Sequence, residues 1–146
     1  MITVKSFGSD HPEYRDEIAF KIRNEVFVEE QKVSREEEFD EFEITSKHYL
    51  LFINNEPVGT ARWRETSKGI KLERFALLKE YRNKGFGSVL LKAVLKDVLP
   101  LNQTTYLHAQ LPAVSFYEKE GFVKQYDIFT ECNIEHYFMK YNPDSL

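Results

Sequence analysis

A mixed α/β fold, with a mostly antiparallel central sheet, one parallel pair and helices on both faces, follows from three features of the sequence. A strand–helix–strand unit spans residues 70–109, and a crossover of that kind makes its two strands parallel neighbours. Short β-rich runs joined by tight turns lie on both sides of it, and such hairpins make antiparallel neighbours. The chain has 146 residues, the size of one domain with a core of its own.

Each element has a local reason. Ile2 to Phe7 reads as an opening strand. Pro12 stands where a first helical turn begins, and Ile18, Ile22 and Val26 then recur every four residues with Phe27 beside them. That spacing makes one apolar helical stripe to about Glu30. Residues 34–43 form an acidic loop or short helix. His48 to Ile53, a turn at Asn54-Asn55-Glu56, and Pro57 to Glu65 make a hairpin by composition. Ser67-Lys68-Gly69 turns the chain into a further strand, Ile70 to Leu78. In the helix that follows, Leu90, Leu91, Val94, Leu95 and Val98 share one face and Lys92, Lys96 and Asp97 the other, and Pro100 ends it. Thr104 to Ala109 is a strand, Pro112 to Glu120 a helix stopped by Gly121, and residues 123–130 and 135–141 close the chain as strands.

Composition removes several function classes. A net charge of −4 with 42% hydrophobic and 14% aromatic residues describes a soluble globular protein, neither disordered nor a general nucleic-acid binder. Cys132 is the single cysteine, which excludes an internal disulfide and a cysteine-rich metal site. No His, Cys and carboxylate cluster has metal-ligand spacing, so no metal is expected. The opening MITVKSFGSD lacks the charged and apolar regions of a signal peptide. No apolar run approaches the roughly 20 residues of a membrane span. The expectation is a cytoplasmic protein without nucleic-acid or membrane partners; a homodimer is left open.

Arg82-Asn83-Lys84-Gly85-Phe86-Gly87 stands between an apolar strand and an amphipathic helix. Three phosphate loops can be compared with it. The nucleotide-triphosphate loop needs Gly-x-x-x-x-Gly-Lys-Ser/Thr, which is absent. The dinucleotide fingerprint needs a third glycine where Leu90 stands, and an acidic ribose contact that is not evident. What remains is a diphosphate held by successive backbone N–H groups at a helix N-terminus, helped by Arg82 and Lys84. A Cβ would block the approach of the oxygens, and the turn calls for positive φ, which accounts for the glycines.

With those residues in view, "LERFALLKEYRNKGFGSVLLKAVL" resembles the acyl-coenzyme A motif of the GNAT superfamily of N-acetyltransferases, Arg/Gln-x-x-Gly-x-Gly/Ala after a strand. "AVSFYEKEGF" at 113–122 resembles its second signature, a helix ending in Tyr-x-x-x-Gly-Phe. The resemblance implies a sheet whose parallel pair is splayed. It implies that the amides of Asn83, Lys84, Gly85, Phe86, Gly87 and Ser88 hold the pyrophosphate of coenzyme A. It further implies that backbone groups of Phe75 and Leu77 pair with the pantetheine arm as a false strand, with Ala76 and Phe116 also lining the coenzyme. Many members carry Asn shortly before the second helix; here Gln110 takes that place. "IRNEVFVEEQKV…EEFDEFE" ahead of His48 resembles a small bacterial subgroup with Arg-x-x-Val-Phe-Val-x-Glu-Gln. The same Arg, Phe and Glu-x-Asp pattern echoes acyl-homoserine-lactone synthases, which are longer and lack the glycine loop.

The activity so implied is acetyl transfer from acetyl-CoA to a small-molecule or peptide amine. A lysine-like amine has pKa about 10.4, so a base helps to free it and an acid near sulfur helps the thiolate depart. Tyr117 matches the tyrosine of the second signature and is the acid candidate. Glu73 is the base candidate, because alternation puts residues 73, 75 and 77 on one strand face, in a cleft that raises its pKa; an ion pair with a neighbouring cation is the competing role. Asp40, Glu41, Glu43 and His48 form an acidic segment near the acceptor groove that either binds a cationic amine, fixes the loop or, as the favoured reading, is a solvated face, with Glu30 and Gln31 at its wall. His108 faces either substrate or core. Arg62, Trp63 and Arg64 read as packing residues. Cys132 has no paired histidine, which favours direct transfer in a ternary complex over a covalent acetyl-enzyme. A non-catalytic acyl-CoA-binding module of the same fold is the alternative.

Overall fold

The computed structural model describes residues 1–8 and 11–145. β1 (Ile2–Phe7) leads into α1, a helical stretch whose parts Tyr14–Ala19 and Asn24–Glu30 have π-type bonding around the α-helical turn Phe20–Arg23. The short α2 (Arg35–Glu38) follows, and the Ser34 hydroxyl caps it by accepting the Glu37 N–H at 3.2 Å. β2 (Lys47–Ile53), β3 (Glu56–Thr66) and β4 (Gly69–Leu77) form a meander. Then come α3 (Phe86–Val98), β5 (Thr105–Gln110), α4 (Val114–Lys119), β6 (Phe122–Glu131) and β7 (Ile134–Tyr141).

One sheet of seven strands runs in the order β1-β2-β3-β4-β5-β7-β6. Every pairing is antiparallel except β4 with β5, as the crossover through α3 requires. That parallel pairing covers only Ile70–Leu72 against Thr105–Leu107. Just beyond it, Arg74 adopts φ 59°, and β4 fits one extra residue between the pairs Arg62–Glu73 and Thr60–Ala76. This is a β-bulge, which bends its strand and interrupts the ladder locally. From Glu73 onward β4 pairs with β3 and not with β5.

Two apolar layers cover the sheet. On one face, Leu90, Leu91, Val94, Leu95 and Val98 of α3 and Val114 and Tyr117 of α4 pack on Ile70, Leu72, Leu107, Ala109 and Met139. On the other, Ala19, Ile22, Val26 and Phe27 of α1, with Val33, pack on Phe7, Leu50 and Ala76. The expected apolar stripes of both long helices are therefore the buried ones. The acidic segment departs from expectation. Glu38 and Glu43 are buried rather than solvated, because two buried arginines, Arg23 and Arg62, stand beneath them.

Candidate active site

A cavity of about 330 Å³ opens where β4 and β5 part. Phe75, Ala76 and Leu77 line it from β4, Ala109 and Gln110 from β5, Tyr117 from α4, and Phe27 and Gln31 from α1. Gln110 is fixed there, its side-chain amide donating to Gln31 Oε1 at 2.8 Å.

The glycine loop sits beside this opening. Asn83 and Gly85 both lie in the left-handed region, at φ 63° and 87°, and α3 starts at Phe86 with Gly85 as its cap residue. A Cβ on Gly85 would meet nothing within 4 Å. The glycine thus answers to backbone conformation and to the open space before the helix, not to a packed neighbour. Gly87 differs: a Cβ there would stand 3.4 Å from the Phe116 ring and 3.8 Å from Leu77. That Cβ would make only ordinary contact with α4 and the end of β4. Asn83, Lys84 and Gly85 are exposed. Arg82, expected at a diphosphate, is engaged elsewhere: its Nε donates to the Leu77 carbonyl at 3.0 Å and its guanidinium pairs with Glu30 at 2.8 Å. Ser88 donates its hydroxyl hydrogen to Glu120.

Tyr117 packs edge-on against Phe75, Phe116 and Phe122, with ring centroids 6.3, 5.1 and 5.8 Å away. Burial pushes its phenol well above the usual range, so the hydroxyl keeps its proton at neutral pH and serves as a donor.

Glu73 departs from the sequence expectation in two respects. The bulge at Arg74 cancels simple alternation: Ile70, Leu72, Phe75 and Leu77 pack with the α3–α4 layer, whereas Ala76 packs with the α1 layer. Glu73 therefore points to the α1 side, opposite Phe75 and Leu77. Its carboxylate meets Arg62 at 3.0 Å, Arg64 at 2.8 Å and Lys71 at 3.1 Å. Burial alone raises a carboxyl pKa, but Arg62, Lys71 and the hydrogen bond from Arg64 outweigh it and hold Glu73 at about 2. A carboxylate so poised is an anchor for cations, which favours the ion-pair role that the sequence also offered over that of base.

Glu73 belongs to a larger network. Arg62, fully buried, donates to both Asp40 oxygens at 2.9 and 2.8 Å and meets Glu43 at 2.9 Å. Arg23, also buried, donates twice to the Glu43 carboxylate at 2.7 Å and twice to Glu38, to its carboxylate and its backbone carbonyl, at 2.8 Å each. Arg74 reaches Glu38 at 3.1 Å and Asp40 at 3.2 Å. His48 donates from Nε2 to the Glu43 carbonyl at 2.7 Å, and burial lowers its pKa to about 4, so it is neutral. These contacts fasten residues 38–43 to the sheet beside the cavity. Sequence reasoning missed Arg23 and Arg62 as the organisers. The available signal was an arginine next to Ile22 on an apolar helical stripe, with no nearby acid on its own helix face to pair it.

The far wall of the cavity carries His108, Glu131, Cys132 and His136. His108 Nδ1 and Glu131 Oε2 are 3.2 Å apart, and the hydrogen bond from His108 holds Glu131 below the usual carboxyl range. His136 meets the Ile134 carbonyl through Nδ1 at 2.7 Å. Burial and then Glu37 push the Cys132 thiol up to about 11, so it is protonated and unreactive at neutral pH. Among the described residues no group of His, Cys, Asp and Glu side chains is arranged to hold a metal ion, and no helix is long and apolar enough to cross a membrane.

Comparison with known proteins agrees with this geometry. The Bacillus subtilis protein named uncharacterized N-acetyltransferase YjcF is 41% identical over 120 residues, covering 81% of this chain and 86% of its own. An acyl-CoA N-acyltransferase from Pseudomonas aeruginosa has the same fold, with TM-score 0.85 at 21% identity over 97% of this chain and 99% of its own. A GNAT family acetyltransferase from Elizabethkingia anophelis, solved with acetyl-CoA bound, superposes at TM-score 0.68 and 17% identity over 95% of this chain and 94% of its own. The family description "Acetyltransferase (GNAT) domain" matches residues 11–143. The chain belongs to the GNAT acetyltransferase domain family.

Proposed function

We propose that the protein is an N-acetyltransferase that moves the acetyl group of acetyl-CoA directly to a primary amine in a ternary complex. The observation that carries this reading is the parting of β4 and β5 beside the Gly85 loop. Past Leu72 the edge of β4 is free of β5, so backbone groups of Phe75 and Leu77 can pair with an amide-bearing pantetheine arm. The arm leads on one side to the loop amides of residues 83–88, which receive the diphosphate at the N-terminus of a 13-residue helix. Lys84, exposed on that loop, supplies the countercharge. On the other side it leads to Tyr117, which lies on the cavity wall and whose hydroxyl can donate its proton to the departing thiolate. Acetyl-CoA in the Elizabethkingia relative supports the same donor here.

The amine enters from the α1 side. The Arg23 to Gln31 segment, which resembles the small bacterial subgroup, serves that wall: Arg23 holds Glu38 and Glu43, and Gln31 holds Gln110. The amine nitrogen attacks the thioester carbon, a C–N bond forms as the C–S bond breaks, and the electron pair leaves on sulfur. The half-buried Cys132, protonated at neutral pH, supports direct transfer over an acetyl-cysteine intermediate.

Titration calorimetry with coenzyme A tests the donor site. Gly85→Val puts a branched side chain into the open space before α3 and strains a backbone at φ 87°. The wild type is expected to bind, and the variant to lose affinity by tenfold or more, that is about 1.4 kcal/mol, while still melting cooperatively. A folded variant with undiminished affinity contradicts the loop assignment.

A further inference from the structure

We propose that His108, held by Glu131, is the general base that frees the acceptor amine; the proposal rests on the acetyl-transfer reading and deepens it. Leu107 and Ala109 pack in the α3–α4 layer, so strand alternation turns His108 to the α1 side. Gln110, two residues on, confirms that direction by reaching Gln31 of α1. His108 is also the first residue of β5 beyond the last parallel pair, Leu72–Leu107. It therefore stands where the strands part, on the face opposite the α4 helix that carries Tyr117. Acid and base so placed bracket a thioester lying between the strands, with the amine arriving at the base and the thiolate leaving toward the acid.

The side chain is prepared for that task. Its Nδ1–H donates to Glu131 Oε2 at 3.2 Å, which leaves the lone pair on Nε2 as the proton acceptor. Phe129 edge-on at 4.9 Å and Phe138 at 5.8 Å restrict the ring. Other candidates fail on geometry. Glu73 is saturated by Arg62, Arg64 and Lys71. His136 lies one strand further from β4, paired with Gln110. The charged and titratable groups around His108 are Glu131 on β6, His136 on β7, Tyr106 on β5, Lys71, Glu73 and Arg74 on β4, and Glu37 and Glu38 from α2. Lys71 and Glu73 neutralise each other at 3.1 Å, which leaves Glu131 as the partner acting directly on the imidazole.

The step balances. An ammonium acceptor gives one proton to His108 Nε2, and the freed amine attacks the acetyl carbon. The C–S bond breaks, Tyr117 protonates the thiolate, and the proton remaining on the new amide nitrogen returns to the tyrosinate through solvent. One proton per turnover leaves from His108.

The test uses the intact protein, acetyl-CoA and a panel of primary amines and peptide amines, with thiol release followed across pH. Coenzyme A binding is measured on the same samples. His108→Asn is expected to lower the rate roughly 10²-fold, most at lower pH where free amine is scarce, and to bind coenzyme A as the wild type does. Free imidazole should restore part of the rate to His108→Ala, which a structural role would not allow. Glu131→Ala should slow transfer on the order of tenfold. Independently of turnover, ¹⁵N spectra of labelled histidine should show neutral His108 as the Nδ1–H tautomer, and a mixture once Glu131 is removed. A His108→Asn enzyme with wild-type rate across the pH range overturns the proposal, as does an Nε2–H tautomer in the wild type. Wild-type protein that binds coenzyme A yet acetylates no amine overturns the base assignment while leaving the donor site standing; failure to bind coenzyme A overturns the underlying reading as well.

Discussion

Tyr117 shows how far a single residue can be assigned from sequence and what geometry adds. Its helix and its place one turn before Gly121 were legible in the Tyr-x-x-x-Gly-Phe pattern; its enclosure by Phe75, Phe116 and Phe122 was not, since those contacts join three elements. Tyr117→Phe keeps the packed ring and removes only the proton. Its kcat should fall roughly 10²-fold with little change in coenzyme A affinity, measured by thiol release and calorimetry. Full kcat in that variant would assign thiolate protonation to solvent. Glu73 is the opposite case. Nothing in Leu72-Glu73-Arg74-Phe75 announces a left-handed residue, and an arginine is not the residue type that φ 59° favours. The bulge arises because β4 must stay paired with β3 while leaving β5, a demand made by the whole sheet. Strand alternation read across it puts Glu73 on the wrong face.

At the level of elements, the stripes of α1 and α3 were read correctly because an apolar periodicity has only one face to bury. For the acidic segment, loop fixing was one of the readings open, and the solvated one was favoured because its partners come from distant elements, Arg23 on α1 and Arg62 on β3. An acid-rich stretch reveals its pairing only when the cations that meet it are known. The network is a demand on stability as well as on position, since Arg62 is wholly buried against Asp40, Glu43 and Glu73. Arg62→Met keeps much of the volume but leaves those carboxylates without their common cation. Removing one partner of a buried ionic cluster costs about 3–5 kcal/mol, so urea unfolding should show a loss of that size. A midpoint unchanged from wild type would mean that water or neighbouring cations already satisfy the acids.

For the molecule as a whole, the strand–helix–strand unit and its flanking hairpins were enough to give the mixed sheet, its parallel pair and the two helical layers. The opening between β4 and β5 was not legible from composition or periodicity and came only with the resemblance of the glycine loop and the Tyr117 helix to known acetyltransferases. In the structure, that opening brings the free edge of Phe75 to Leu77, Arg82 at the start of the glycine loop, Tyr117 and the α1-side wall around one cavity. On the proposed reading, a donor loop on one side of that cavity and a polar acceptor wall on the other fit transfer between two substrates better than storage of one. The most direct measurement is amine-dependent thiol release from acetyl-CoA by the wild-type protein, with the product weighed by mass spectrometry. The account predicts one acetyl amide for every thiol released and no acetyl group left on the protein. Tight coenzyme A binding with no thiol release for any amine would contradict it and make the protein a binding module.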